Sequence, residues 1–378
     1  MARDSRAIAR AAARLEKMAL EDAGLMDFLG LPQDEQEVIR YPSSHVGEAP
    51  FSRLDGFLLA DRVMFVEFNV DSPGGAAFTD EMSDVFRHMP LVVQFQKRWR
   101  LSTAMSRKRI LNLLVGAYRT GWGQHRPPHI AIVDWADVGT AKEFSILQGF
   151  FERQGYPTRI VDPSHTTLRK GELWAGDFRI DIAYKRVVTR ELLDRAADCR
   201  DFLRACREGT VCLMNPFRVK VQTVKAVLAA LWDDRWHPHL PADLQAAVRR
   251  CLPWTARVTD RLVDRVLREQ TRLVLKPNDE YGGAGVTLGW TVARAAWEAR
   301  LSDAVRDGDI VQQRVELPRE VFPCIEGHRL TFPEVYVDCD PYFYAGQMGT
   351  IGTRFSSEPV LNVKTGGGAA PTFLAVPR

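Results

Sequence analysis

Three segments of this chain carry side chains whose types and spacing suit chemistry on phosphates. The most informative runs Leu273-Val-Leu-Lys276-Pro-Asn-Asp-Glu280-Tyr281-Gly282-Gly283-Ala-Gly285. A β-rich run enters it, Lys276 stands at the end of that run, a glycine-rich turn follows, and a second β-rich run leaves from Val286. Glycines let backbone amides approach an anion with no side chain in the way, and an adjacent lysine supplies the charge a polyphosphate needs. Strand, loop and strand describe a flap rather than a Walker loop, which needs GxxxxGK[ST] at the start of a helix, and Gly283-Ala-Gly285 opens no helix as a dinucleotide loop would. Taken alone, the segment reads equally well as a glycine hairpin with Lys276 in solvent.

The second segment is Phe65-Val-Glu67-Phe-Asn69-Val-Asp71-Ser-Pro-Gly-Gly75. Residues two apart in a strand share a face, so Glu67, Asn69 and Asp71 are expected on one side and Val66, Phe68 and Val70 on the other. A carboxylate and an amide oxygen are hard donors of the kind Mg²⁺ takes beside phosphate oxygens. The same alternation also describes the polar outer face of a half-buried strand; the glycine turn directly after it favours a site. Upstream, Arg53-Leu-Asp55 is either a surface ion pair of little energetic worth or an arginine fork for a phosphoryl group or a substrate carboxylate. Near the other end, Gly352-Thr-Arg354 adds a second arginine, and Gly366-Gly-Gly-Ala-Ala370 a loop that alone would read as a tether. No Ser/His/Asp or Cys/His nucleophile arrangement stands out. The histidines read as structural or solvated, with His237 and His239 flanking Pro238 in a loop without identifiable metal partners.

Around these segments stand 378 residues, enough for roughly two or three compact units with a large core. Hydrophobic residues make up 46% and charged residues 26%, a composition that excludes a disordered or fibrous chain. Lys plus Arg number 51 against 48 Asp plus Glu, and the net +3 is too small by itself to build a nucleic-acid or membrane surface. The six cysteines show no CxxC pair and no zinc spacing. No apolar run approaches the roughly 20 residues of a membrane span, and the N-terminus lacks the apolar core of a secretory signal, so the expected compartment is the cytoplasm.

Positioning elements follow from periodicity. Ile8, Ala12, Leu15 and Met18 step as one face of an amphipathic helix. Residues 51–70 read as two strands about a turn near Asp61, and 81–119 as helical with a break at Pro90. Strand 129–134, helix 141–154 and strand 158–162 make a βαβ unit; a second is expected from strand 178–184 and helix 189–208. The turn after Asp134 is too poor in glycine for a pyrophosphate, so no nicotinamide site is expected. A long helix is expected over 222–234, and strands again beyond Gln270.

Together these segments resemble the ATP-grasp superfamily in its circularly permuted form, the group of eukaryotic glutathione synthetase and glutathionylspermidine synthetase. The order of motifs carries the resemblance. Arg53-Leu-Asp55 is followed by Glu67-Phe-Asn69 and its glycine turn, much later by Lys276-Pro-Asn-Asp-Glu280-Tyr-Gly-Gly283, and near the C-terminus by Arg354 ahead of a Gly/Ala loop. The resemblance spans about residues 50 to 375 and implies an α/β (α+β) fold. It divides the chain into an N-terminal helical segment (1–50), the first part of the grasp core (51–126), an inserted Rossmann-like pre-grasp domain (127–210) and a nucleotide-binding and lid region (211–378). Residue by residue, it implies that Glu67, Asn69 and Glu280 hold Mg²⁺ on ATP. Lys276 would neutralise the phosphates, and Tyr281, Gly282 and Gly283 would form the lid. Lys225, following Asn215-Pro-Phe, resembles a second phosphate-contacting lysine. Gln313 and Val315 would bond the adenine edge, with Arg53, Asp55 and Arg354 at the acyl substrate.

The implied activity is an ATP-dependent carboxylate–amine ligase working through an acyl phosphate and releasing ADP and phosphate. Its substrates would be an amino acid, peptide or polyamine, and a homodimer is worth testing. At this length no separate amidase domain is expected, so the resemblance does not imply the amide hydrolysis of bifunctional relatives. A small-molecule kinase and a non-catalytic nucleotide-binding protein are the alternatives. Whether Asp71, Asp338 or Asp340 joins the metal site stays open at this level.

Overall fold

The computed structural model describes the chain except residues 44–49, 124–125 and 362–366, and except the side chains of residues 325 and 326. Helices and strands mix along an α+β chain. In the largest sheet, Phe51–Leu58 and Val63–Asn69 form an N-terminal hairpin. Asp340–Tyr344 pairs with the other side of Phe51–Leu58, followed outward by Gln347–Ser356, Glu334–Val337 and Arg319–Val321. Gly368–Pro371 also pairs with Gln347–Ser356. Residues near both ends of the chain thus share one antiparallel sheet.

A parallel sheet orders Cys212–Met214, Ile182–Lys185, Ile130–Val133 and Thr158–Val161. Helix Ala141–Arg153 joins the last two strands, so the expected βαβ unit forms. Ile130, Ala131, Ile132 and Val133 are all buried, as a strand covered on both faces requires. A third sheet is antiparallel, in the order Thr255–Arg257, Ile310–Gln313, Leu273–Lys276 and Thr287–Leu288. The cores link these layers. Helix Ala2–Glu21 places Ile8, Ala12 and Leu15 in one buried cluster with Leu54, Phe65 and Phe68 of the hairpin, each large side chain contributing about 1.5–3 kcal/mol of burial. No helix among the described residues is long and apolar enough to cross a membrane.

Several expected elements are broken. The 178–184 strand is two strands in different sheets, Phe178–Ile180 and Ile182–Lys185. Between them the Asp181 carboxylate accepts the His129 N–H at 2.7 Å and pairs with Arg126 at 2.8 Å. The 189–208 helix is interrupted between Thr189–Asp194 and Arg200–Glu208, where Arg195 lies 3.8 Å over the Trp135 ring. In the 81–119 region, helices Ala76–Arg87, Pro90–Phe95 and Ser106–Trp122 are accompanied by a strand, Trp99–Ser102, that pairs with Leu374–Pro377. Local periodicity could not reveal that distant pairing.

Asp71 does not continue the polar face of the hairpin. Beyond the end of the strand it turns into the interior, where it meets Lys185 at 2.5 Å and accepts the Thr189 N–H and Oγ1, both at 2.7 Å. Lys185 is 1% and Asp71 3% exposed. Burial opposes ionisation of Asp71, but the Lys185 and Lys220 ammoniums and these hydrogen bonds hold its pKa below the ordinary value. This pair ties the end of the hairpin to the parallel sheet. Asp71→Ala should lower stability in urea unfolding by about 3–5 kcal/mol, because it strands a buried ammonium, and Asp71→Leu with Lys185→Met should recover most of that loss.

Candidate functional site

The hairpin register brings the sequence-derived polar residues to one surface. Arg53 stands opposite Asn69, and Asp55 opposite Glu67, and all four line a cavity of about 170 Å³. Its opposite wall is the third sheet, through Val274, Lys276, Leu288 and Gln312, with Gly282 and Gly283 of the glycine flap at its edge. The ladder slips by one residue between Asp55 and Gly56, a bulge of the kind that re-aims side chains. Val66 therefore lines the cavity instead of packing with Phe68 and Val70, which corrects the simple alternation. Gly56 is required there, since a Cβ would lie 2.7 Å from the Met64 carbonyl oxygen.

Two lysines reach this cavity or its rim by different routes. Lys276 ends its strand and donates to the Val66 carbonyl at 3.0 Å. Desolvation lowers its pKa to about 8, with Glu67 pulling the other way and Lys225 adding to the depression. The expected 222–234 helix is in fact Lys220–Thr223 and Ala226–Trp232, interrupted at Val224 and Lys225. Asn278 sits in the gap: its carbonyl accepts the Lys225 N–H and its Oδ1 the Ala226 N–H, both at 2.8 Å. The break aims Lys225 at Glu67, 3.0 Å away, and at the Glu280 carbonyl. One ammonium thus gathers the Glu67 carboxylate and the flap backbone at Glu280, whose residue is exposed.

A cation–carboxylate network closes one end. Arg53 forks onto Asp55 at 2.6 and 2.9 Å and donates to the Gly74 carbonyl at 2.9 Å. Arg354 reaches Asp55 at 2.8 Å, Asp338 at 2.6 Å and Asp340 at 2.9 Å. Burial works against ionised Asp55, yet the two guanidiniums hold it at about 2. Burial first, and then crowding by Asp55 and Asp338 against the pull of Arg354, push Asp340 well up. Asp55 is held between two arginines, while Asp338 and Asp340 are tied to Arg354.

At the other end, Gln313 and Val315 line the cavity beside Val286, Trp290 and Leu317, an apolar slot for a flat group. Val315 lies past the end of the strand Ile310–Gln313. Tyr281 is 52% exposed and its hydroxyl bonds Glu191 at 2.7 Å, linking the flap to the parallel-sheet unit. Gly283 adopts φ +80° with a Cβ position 2.7 Å from Val360, so that turn accepts only glycine without movement. The expected C-terminal loop from Asn362 to Gly366 lies outside the described residues.

No three His, Cys, Asp or Glu side chains gather as a metal centre among the described residues. Glu67 and Asn69 line the cavity, whereas Glu280 is not among its lining residues and comes near Glu67 only through its backbone carbonyl, which Lys225 bonds. Asn69 Nδ2 is buried without a hydrogen-bond partner among the described residues, an open donor that suits an acceptor oxygen of an incoming group rather than a cation. A carboxylate and an amide oxygen, completed by phosphate oxygens, are donors of the kind Mg²⁺ takes. Sequence reasoning missed Asn278, which sets Lys225, and the apolar slot of Val274, Leu288 and Trp290. The first had no signal beyond its place in the flap motif; the second carried only a β-rich pattern.

No protein-family model and no curated protein sequence matches the chain. Among solved structures, a glutathione synthetase-like effector from Globodera pallida in its apo form is similar at a TM-score of 0.59 and 11% identity. The match covers 98% of this chain and 86% of that one. A protein provisionally described as a gamma-glutamylcysteine synthetase from Methylobacillus flagellatus KT aligns over 97% of this chain and 88% of that one, at a TM-score of 0.49 and 12% identity, and carries no weight here. The chain has a synthetase-like α+β fold of the kind seen in the Globodera effector.

Proposed function

We propose that the cavity binds Mg-ATP and that the protein is a carboxylate–amine ligase of the circularly permuted ATP-grasp type. One observation carries the proposal: Arg53, Asp55, Glu67 and Asn69 on one hairpin face meet Lys276 and the flap glycines across a single cleft between two antiparallel sheets. The sharing of one sheet by residues 51–69 and 319–371 supports the permuted order, and the fold likeness to a glutathione synthetase-like effector supports the ligase class.

Glu67, Asn69 and Glu280 would hold Mg²⁺, which supplies Lewis-acid neutralisation of the phosphates. Lys276 and Lys225 place positive charge along them, and the Val315 backbone with the apolar slot takes the adenine. Arg53 and Arg354, oriented by Asp55, hold the substrate carboxylate as its oxygen attacks the γ-phosphorus and ADP leaves. The amine then attacks the acyl carbonyl, phosphate departs and the nitrogen loses a proton. Asp55 acts here as a positioning residue, because both its oxygens are committed to guanidiniums.

Incubation with Mg-ATP and pooled amino acids, peptides and polyamines should release ADP only when a carboxylate and an amine are both present, with a new amide detected by mass. A stable phosphorylated product without amine would mean a kinase, and Mg-ATP binding without turnover a non-catalytic binder. Glu280→Gln should leave the melting temperature unchanged, since the residue is exposed, and lower turnover by about 10²-fold or more. Wild-type turnover in that variant would remove Glu280 from the reaction.

The charge of Lys276 gives a second handle. With a pKa of about 8 in the free protein, it is largely neutral at about pH 9, and bound phosphate favours the charged form. Mg-ATP binding should therefore take up close to one proton at about pH 9 and almost none at about pH 6.5. Calorimetry in buffers of different ionisation heat measures this uptake, and Lys276→Arg should abolish it at the higher pH.

A further inference from the structure

A second and larger cavity, about 840 Å³, shares Gln313 and Val315 with the first. That volume is ordinary for a small-molecule site. Five arginines line it, Arg62, Arg249, Arg250, Arg272 and Arg314, against one carboxylate, Glu316. Arg62 pairs with Asp61 at 2.9 Å and Arg250 with Asp4. Arg249 donates to His237 Nε2 at 3.3 Å. Arg272 and Arg314 enter no ion pair among the described residues.

The placement of those last two is the informative feature. The Arg314 N–H donates to the Arg272 carbonyl at 2.8 Å, one step beyond the Leu273–Gln313 pair, so the two residues oppose one another across an antiparallel ladder. Like charges set opposite in that way destabilise a sheet unless an anion lies between or beside them. The Arg314 guanidinium stacks 4.2 Å over Trp290, which restrains it without cancelling its charge. Trp232 and Trp254 supply an apolar wall, and Trp232 Nε1 is buried with no acceptor, although a buried indole N–H ordinarily finds one.

We propose that this arginine-lined cavity is a binding site for a small polyanion with an apolar or planar body, separate from the cleft described above. Guanidinium forks bind phosphate and carboxylate alike, so a phosphorylated and a polycarboxylate ligand share the required chemistry. The indole walls of Trp232 and Trp254 cover its body. The site stands on its own residues and does not depend on what the neighbouring cleft binds.

Calorimetric titration of the full chain with tripolyphosphate, and separately with citrate, tests it. At least one should bind and weaken as salt rises, as a charge-dominated contact does. The exposed pair Arg272→Ala and Arg314→Ala should reduce affinity about tenfold or more while the melting curve holds. Lys276→Ala, which alters only the neighbouring cleft, should leave affinity within about twofold. The relative strength of the two anions separates phosphate from carboxylate recognition. Failure of both to bind, or a loss that follows Lys276→Ala while the arginine variant binds as wild type, overturns the proposal.

Discussion

The register of one antiparallel ladder decides which side chains of this protein face its cleft. Asp55 opposite Glu67 and Arg53 opposite Asn69 put an arginine, two carboxylates and an amide on one wall. A shift of one residue would turn all four toward Leu54 and Phe68, into the hydrophobic core. Three contacts pin the hairpin. Asn215 donates to the Phe51 and Val70 carbonyls at 2.8 and 2.6 Å, Asp71 is clamped by Lys185, and the Cys339 N–H reaches the Gly56 carbonyl at 2.7 Å. The first two come from the end of the parallel sheet and the third from the C-terminal part of the chain. The site is thus held by elements far from it in sequence.

Electrostatics divides the cleft into two ends. Around Asp55, cations and acids satisfy one another: Arg53 and Arg354 are fixed by carboxylates whose ionisation burial opposes. Around Glu67 the balance is looser, because among the described residues Lys276 has only the Val66 carbonyl for a hydrogen bond and loses proton affinity to desolvation. A buried cation so lightly compensated favours an incoming anion. The flap reaches this loose end through Lys225 and the Glu280 carbonyl, and also touches the parallel-sheet unit through Tyr281 and Glu191. The glycine turn is therefore tied both to the hairpin wall and to the parallel-sheet unit.

Much of this was legible in the sequence, for identifiable reasons. Period-two alternation placed the hairpin, the apolar runs placed the βαβ unit, and the Lys-Pro-x-x-Glu-x-Gly-Gly spacing placed the flap. What escaped depends on contacts between distant residues. The bulge that exposes Val66 to the cavity comes from close approach of Gly56 to Met64 and Phe65. The break that aims Lys225 comes from Asn278, more than fifty positions away. Asp71 read as a third polar residue of the strand, but its role is set by Lys185, which no local pattern connects to it. Nor did composition distinguish the arginine-lined cavity, because its cations come from four separate stretches of a nearly neutral chain.

The meeting of Glu67 and the flap around one divalent ion is the point on which the catalytic reading turns. A crystal structure of the protein soaked or grown with Mn²⁺ and a non-hydrolysable ATP analogue examines it directly, since Mn²⁺ substitutes for Mg²⁺ and gives an anomalous signal. An anomalous peak coordinated by both Glu67 and Glu280, with phosphates against Lys276 and the base beside Val315, is the expected result. A nucleotide bound elsewhere, or a peak that touches neither glutamate, would contradict it.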